Sequence, residues 1–113
     1  MGKPNVTAVR VLRRMKTIIN NGWVKGYYAK TASGRICESF SKHAVGYCIS
    51  GARFVAVDEL RPDHAVAERV KRFIQRAVPG NNSPEGFNDA AATTKADVLA
   101  VIDAAIRLAE PKQ

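Results

Sequence analysis

The sequence predicts a small α+β domain dominated by helix, with about four helices and one β-hairpin after the first. Three observations carry this. Apolar residues recur at helical spacing in four separate stretches. One stretch after the first is instead rich in aromatic and β-branched residues around a glycine turn. The chain has 113 residues, enough for one domain and too few for two. A single domain over 1–113 is therefore expected, with flexible tails at 1–5 and 110–113.

The first helix spans residues 6–21. Ala8, Val11, Leu12, Met15, Ile18 and Ile19 form its apolar stripe. Arg10, Arg13 and Arg14 lie opposite, with Lys16 nearby. Asn20-Asn21-Gly22 stops it, with Gly22 suited to a left-handed cap. Residues 23–38 read as a hairpin turning at Thr31-Ala32-Ser33-Gly34. In it Trp23, Lys25 and Tyr27 share one face, Tyr28 and Lys30 the other, and Trp23 is expected to be buried. Two strands alone are marginal in water, so the hairpin must pack on the helices.

A second helix is expected across 42–57, capped by Ser39 or Ser41, with the stripe Ala44, Val45, Cys48, Ala52 and Val55. Gly46 and Gly51 interrupt it and imply close approach of another backbone, or a break near Gly51. Asp63 is the expected cap of a third helix, whose stripe is Val66, Val70, Phe73, Ile74 and Ala77. Residues 79–92 read as one long loop of turn formers, a length often associated with function. Thr94 and Asp97 resemble a capping box opening the last helix, which runs to about Ala109.

Charge is distributed unevenly. Residues 1–56 carry ten basic side chains and one acid, Glu38; residues 57–113 carry eight basic and nine acidic side chains. A one-sided positive field attracts nucleotides, phosphates, nucleic acid or an acidic protein surface. No apolar run approaches the roughly 18 residues of a membrane helix. No apolar segment follows Met1-Gly2-Lys3-Pro4 to act as a secretory signal. A cytoplasmic protein with no membrane partner is expected. Cys37 and Cys48 match no zinc spacing, His43 and His64 do not complete one, and no metal site or other cofactor is expected. P-loop, dinucleotide, zinc-protease and EF-hand signatures are absent.

Several motifs fall in a recognisable order. These are Gly22-Trp23-Val24-Lys25-Gly26, the turn at Gly34, Tyr47-Cys48-Ile49-Ser50-Gly51-Ala52, the pair Asn88-Asp89, and a closing helix from Val98 to Ala109. Together they resemble an uncharacterised family of small bacterial and phage proteins over residues 8–109. The resemblance implies an architecture and a bacterial or phage origin; it supplies no activity. After Asn88-Asp89 the chain departs from that pattern, so no role passes to Lys95.

Four sets of residues could carry chemistry. Cys48, near a helix start, would have a lowered thiol pKa and could be a nucleophile; a cysteine on an apolar stripe is more commonly core. Asn88-Asp89 could clamp a ligand's hydroxyl or base edge, or simply make a turn and helix-entry cap. Trp23, Tyr27 and Tyr28, interleaved with Lys25, Lys30 and Arg35, could stack on bases and hold phosphates. The basic residues Arg10, Arg13, Arg14 and Lys16 could track a phosphate backbone, or form a solvated face.

The leading expectation is a bacterial or phage binding protein without catalysis. Its ligand would be a small anion, a nucleotide such as a sequestered signal of host defence, held by Lys25, Tyr28, Lys30, Arg35, Arg53, Asn88 and Asp89. The ligand could lie at a homo-oligomer interface. The alternatives are a binder of nucleic acid or of a protein partner, and a cysteine-dependent enzyme.

Overall fold

Helix α1 (Ala8–Asn21) is the centre of the molecule, because its stripe is apolar enough to be covered from several sides. Ala8, Val11, Leu12, Met15, Ile18 and Ile19 are all buried. In this computed structural model, which describes residues 5–111, α1 packs against α2 (Ile49–Leu60), α3 (His64–Ala77) and α5 (Lys95–Ala109). One core unites them: Ile49, Ala52 and Ala56 from α2, Val70 and Ile74 from α3, and Val98, Val101, Ile102, Ala105 and Ile106 from α5. Residues 1–4 and 112–113 of the expected tails lie outside the described residues.

The architecture is α+β and mostly helical, as expected, with differences in detail. Five helices and a three-stranded antiparallel sheet occur among the described residues. The sheet order is β2-β1-β3, from β1 (Ala29–Thr31), β2 (Ile36–Cys37) and β3 (Ala44–Tyr47). Ala29 pairs with Cys37 on one side and Tyr47 on the other. The start expected for the second helix is thus a strand. Ala44 and Val45 fit a helical stripe by spacing, but backbone pairing to β1 claims them, and α2 begins only at Ile49. Its N-cap is Cys48, not Ser39 or Ser41: the Cys48 sulfur accepts from Gly51 N at 3.3 Å.

Close backbone approach does occur at Gly51, where an added Cβ would collide with the Tyr28 carbonyl oxygen. Gly22 has φ 178°, an extended conformation, so it is no left-handed cap. Its small size is needed instead because a Cβ there would strike the Val45 carbonyl oxygen of β3.

The hairpin's first strand is shorter than expected. Residues 23–28 are not a strand, apart from a bridge between Trp23 and Tyr47. Trp23 is half-buried rather than fully buried. The expected loop 79–92 contains a short helix, α4 (Pro84–Asp89). Ser83 caps it by accepting from Gly86 N at 3.0 Å, and Pro84 opens its first turn, where a missing N–H costs nothing. Asp63 sits at the N-cap of α3 as expected, but its side chain makes no capping bond. The Thr94–Asp97 capping box forms in full.

Candidate functional site

Helix α4 is held against the rest of the chain by Asn88, which is 0% exposed. Its Oδ1 accepts from Trp23 Nε1 at 2.8 Å and from Ile49 N at 3.0 Å. Its Nδ2 donates to Val24 O at 3.0 Å and to Asp89 Oδ1 at 2.9 Å. All four hydrogen-bonding positions of the amide are filled. Asp89 Oδ1 also accepts from Gly26 N at 2.8 Å. The pair therefore satisfies the Val24 carbonyl and the Gly26 amide, which have no backbone partner among the described residues. Asn88 is thus a tertiary tie rather than a local cap, and it has no free polar atom to offer a ligand, whereas Asp89 keeps one oxygen toward the smaller cavity.

Lys25 is committed similarly. Its ammonium donates to Ala90 O at 2.6 Å and Ala91 O at 3.3 Å, closing the turn after α4. Lys30 lies over the Tyr27 ring, 5.9 Å from its centroid. Arg35 is exposed in the turn between β1 and β2 and lines neither cavity described below.

The basic residues of α1 are largely paired. Glu59 of α2 takes a two-pronged contact from Arg14, at 2.6 and 3.2 Å. Lys16 meets Asp103 at 2.8 Å and Arg13 meets Glu110 at 3.7 Å. The acids missing from the first half of the chain thus come from the second. Arg10 alone of the four has no ion pair among the described residues, so the row is not a continuous phosphate track.

Cys48 is buried, and burial pushes its thiol above the ordinary range, against the opposing hydrogen bonds from Gly51 and Ser50. This corrects the expectation of a lowered pKa, because desolvation outweighs the helix start. His43 and His64 are exposed, and neither hydrogen-bonds Cys48 among the described residues.

Two cavities meet at Glu85. The larger, about 450 Å³, lies between α2, α3 and the segment leading into α4. Its charged groups are Arg53, Lys71 and Glu85, with Ser50, Gln75 and Asn82 beside them. The smaller, about 260 Å³, is lined by Gly26, Tyr27, Tyr28, Cys48, Glu85 and Asp89. Ser50 Oγ donates to Glu85 Oε1 at 2.7 Å. That bond holds the Glu85 carboxyl below the usual range, and Arg53 and Lys71 add to the effect. Arg53 is itself positioned: its guanidinium lies 4.8 Å from the Phe54 ring centroid, and Phe54 packs against Tyr28 at 5.3 Å. Such a stack keeps the guanidinium oriented while leaving its edge for an anion.

Of the residues expected to bind ligand, Tyr28, Arg53 and Asp89 come together here. Ser50, Lys71 and Glu85 escaped sequence reasoning. Glu85 was the most findable, since Ser83-Pro84-Glu85 is a helix-start signal within the supposed loop. Among the described residues no group of three His, Cys, Asp or Glu side chains gathers to hold a metal, and no helix is long and apolar enough to cross a membrane.

The sequence model of a family of unknown function matches residues 3–108, in accord with the resemblance to an uncharacterised family. No curated protein and no solved structure matches the chain.

Proposed function

The chain belongs to the DUF6197 family of unknown function, and from its own geometry we propose that it is a non-catalytic cytoplasmic binding protein for a nucleotide. One observation carries this reading: an aromatic-walled cavity and a cationic cavity adjoin across Glu85. A nucleotide has the same division, a flat stackable base at one end and phosphate at the other. Tyr27 and Tyr28 supply ring faces to the base, and Arg53 and Lys71 supply charge to the phosphate. The larger cavity, about 450 Å³, falls in the range of roughly 300–1,000 Å³ common for small-ligand sites, and the smaller, about 260 Å³, lies just below it. The role is sequestration of the nucleotide. The paired charges along α1 argue against a duplex-binding face.

The test is calorimetric titration of the full chain with ribonucleoside mono- and diphosphates, alongside native mass spectrometry for stoichiometry and assembly state. Saturable binding is expected, weakened at least tenfold by Arg53→Ala and by Lys71→Ala, and unchanged by Arg35→Ala. Absence of saturable binding overturns the reading. Affinity that appears only with oligonucleotides, growing with strand length and falling steeply with salt, would replace it with nucleic-acid binding.

A further inference from the structure

The smaller cavity is the wrong place for a phosphate and a selective place for a base. Glu85 and Asp89 stand four residues apart on α4 and both line it. Residues at that spacing lie side by side, and like charges there repel. Each carboxylate has one engaged oxygen. Glu85 Oε1 takes the Ser50 hydroxyl, and Asp89 Oδ1 takes Gly26 N and Asn88 Nδ2. Glu85 Oε2 and Asp89 Oδ2 accept no hydrogen bond from any other described residue, although the Glu85 carboxylate also receives its own backbone N–H. Ionised carboxylates only accept, so this cavity asks its ligand for donors carried on a flat edge.

Resting on the nucleotide reading above, we propose that the base is guanine. Guanine presents its ring N1–H and its exocyclic amino group side by side, two donors matched to the open Oε2 of Glu85 and the remaining lone pair of its Oε1. Adenine and cytosine each set an amino group beside a ring acceptor, and uracil flanks its single N–H with two carbonyls. Every one of these turns a lone pair toward the carboxylate. Stacking on Tyr27 or Tyr28 is indifferent to base identity, because every base has a π-face. Discrimination therefore falls to Glu85, whose charge is kept by Ser50 on one oxygen while the other stays open. An organic cation would satisfy the carboxylates but would meet Arg53 and Lys71 across Glu85. A neutral donor edge tethered to an anion matches both cavities.

The experiment is titration of the full chain and of Glu85→Gln with guanosine, inosine and adenosine monophosphates, and with free arginine. Guanosine monophosphate should bind at least tenfold more tightly than adenosine monophosphate. Inosine monophosphate keeps N1–H and loses the amino group, so it should fall between them. Glu85→Gln should weaken guanosine monophosphate at least tenfold and adenosine monophosphate less than threefold. Glu85 is exposed, so the variant should melt like the parent; if it does not, the three bases on the unaltered chain decide. Equal binding of the adenine and guanine nucleotides overturns the base assignment and leaves the nucleotide reading standing. Failure of all three nucleotides overturns both, and arginine bound in their place assigns the site to a zwitterion.

Discussion

The indole N–H of Trp23 donates to the amide oxygen of Asn88 across 2.8 Å, joining positions 65 residues apart. That oxygen also takes Ile49 N, the first amide of α2. One buried amide thus registers the segment after α1, the start of α2 and the whole of α4. Since α4 carries Glu85 and Asp89, the shape of both cavities depends on a residue with no free polar atom of its own.

Asn88→Ala should be among the most damaging single changes. It strands the Trp23 N–H, the Ile49 N–H and the Val24 carbonyl, and a buried group left unpaired costs about 1–3 kcal/mol. A loss of roughly 3 kcal/mol or more in urea unfolding is expected. Asn88→Asp keeps the acceptor but cannot donate to Val24 O, and it sets a charge beside Asp89; it should also destabilise. A loss below about 1 kcal/mol for Asn88→Ala would show that the segments are held by other contacts.

Gly51→Ala should destabilise, against the ordinary trend. In a helix interior Ala is favoured over Gly by up to about 1 kcal/mol. Here the new methyl would meet the Tyr28 carbonyl, which is fixed because it accepts from Cys48 N at 3.1 Å. Overpacking of this kind costs about 1–3 kcal/mol. The sign of the change in the denaturant midpoint therefore reports whether α2 lies against Tyr28, the residue before β1.

Alkaline pH should weaken the fold through Cys48. Burial raises its thiol pKa in the folded state, so the unfolded chain loses the proton first. The associated stability is complete below the ordinary thiol pKa, about 8.5, and declines as pH rises from there toward the folded value. Tyr47, raised mainly by burial, adds a second decline above its ordinary value of about 10. Cys48→Ser removes the first titration while its hydroxyl can still cap α2, so it should flatten the limb beginning near pH 8.5. Full activity of Cys48→Ala in a biological assay would set aside a cysteine-dependent reaction. A limb unchanged in Cys48→Ser would assign the decline to other groups.

Arg14 and Glu59 form the best-defined surface pair, yet both side chains are about 40% exposed. Exposed pairs contribute about 0–1 kcal/mol and weaken with salt. A double-mutant cycle with Arg14→Ala and Glu59→Ala should give a coupling in that range that shrinks in molar salt. Coupling well above it would mark α1–α2 docking as electrostatic rather than apolar.

Local signals explain which elements were legible. The α1 stripe and the Thr94–Asp97 box are complete within a few residues of sequence, and both formed as read. Ala44, Val45 and Cys48 carried a helical spacing too short to distinguish from a strand followed by a cap. Their state was decided by pairing of β3 with β1, a contact that spacing within 44–48 does not encode. For α4, a Ser-Pro-Glu start was present but lay among turn formers. At the candidate site, Tyr28, Arg53 and Asp89 were chosen for their chemistry. Lys71 and Ser50 had no local mark, because only the tertiary arrangement of α2, α3 and the segment entering α4 gives them a shared cavity.

What the sequence by itself determined is the apolar periodicity of the helices, the caps that bound them and the imbalance of charge between the halves. These are properties of neighbouring residues, set by helix geometry and side-chain hydrogen bonding within one turn. Tertiary structure alone decided how the charges and polar groups were used. Folding brought Glu59, Asp103 and Glu110 onto the basic face of α1 and turned Asn88 from a surface polar residue into a buried tie. It also left Glu85 between a cationic and an aromatic cavity. Electrostatics and hydrogen bonds act through space over a few ångströms, and no reading along the chain measures those distances.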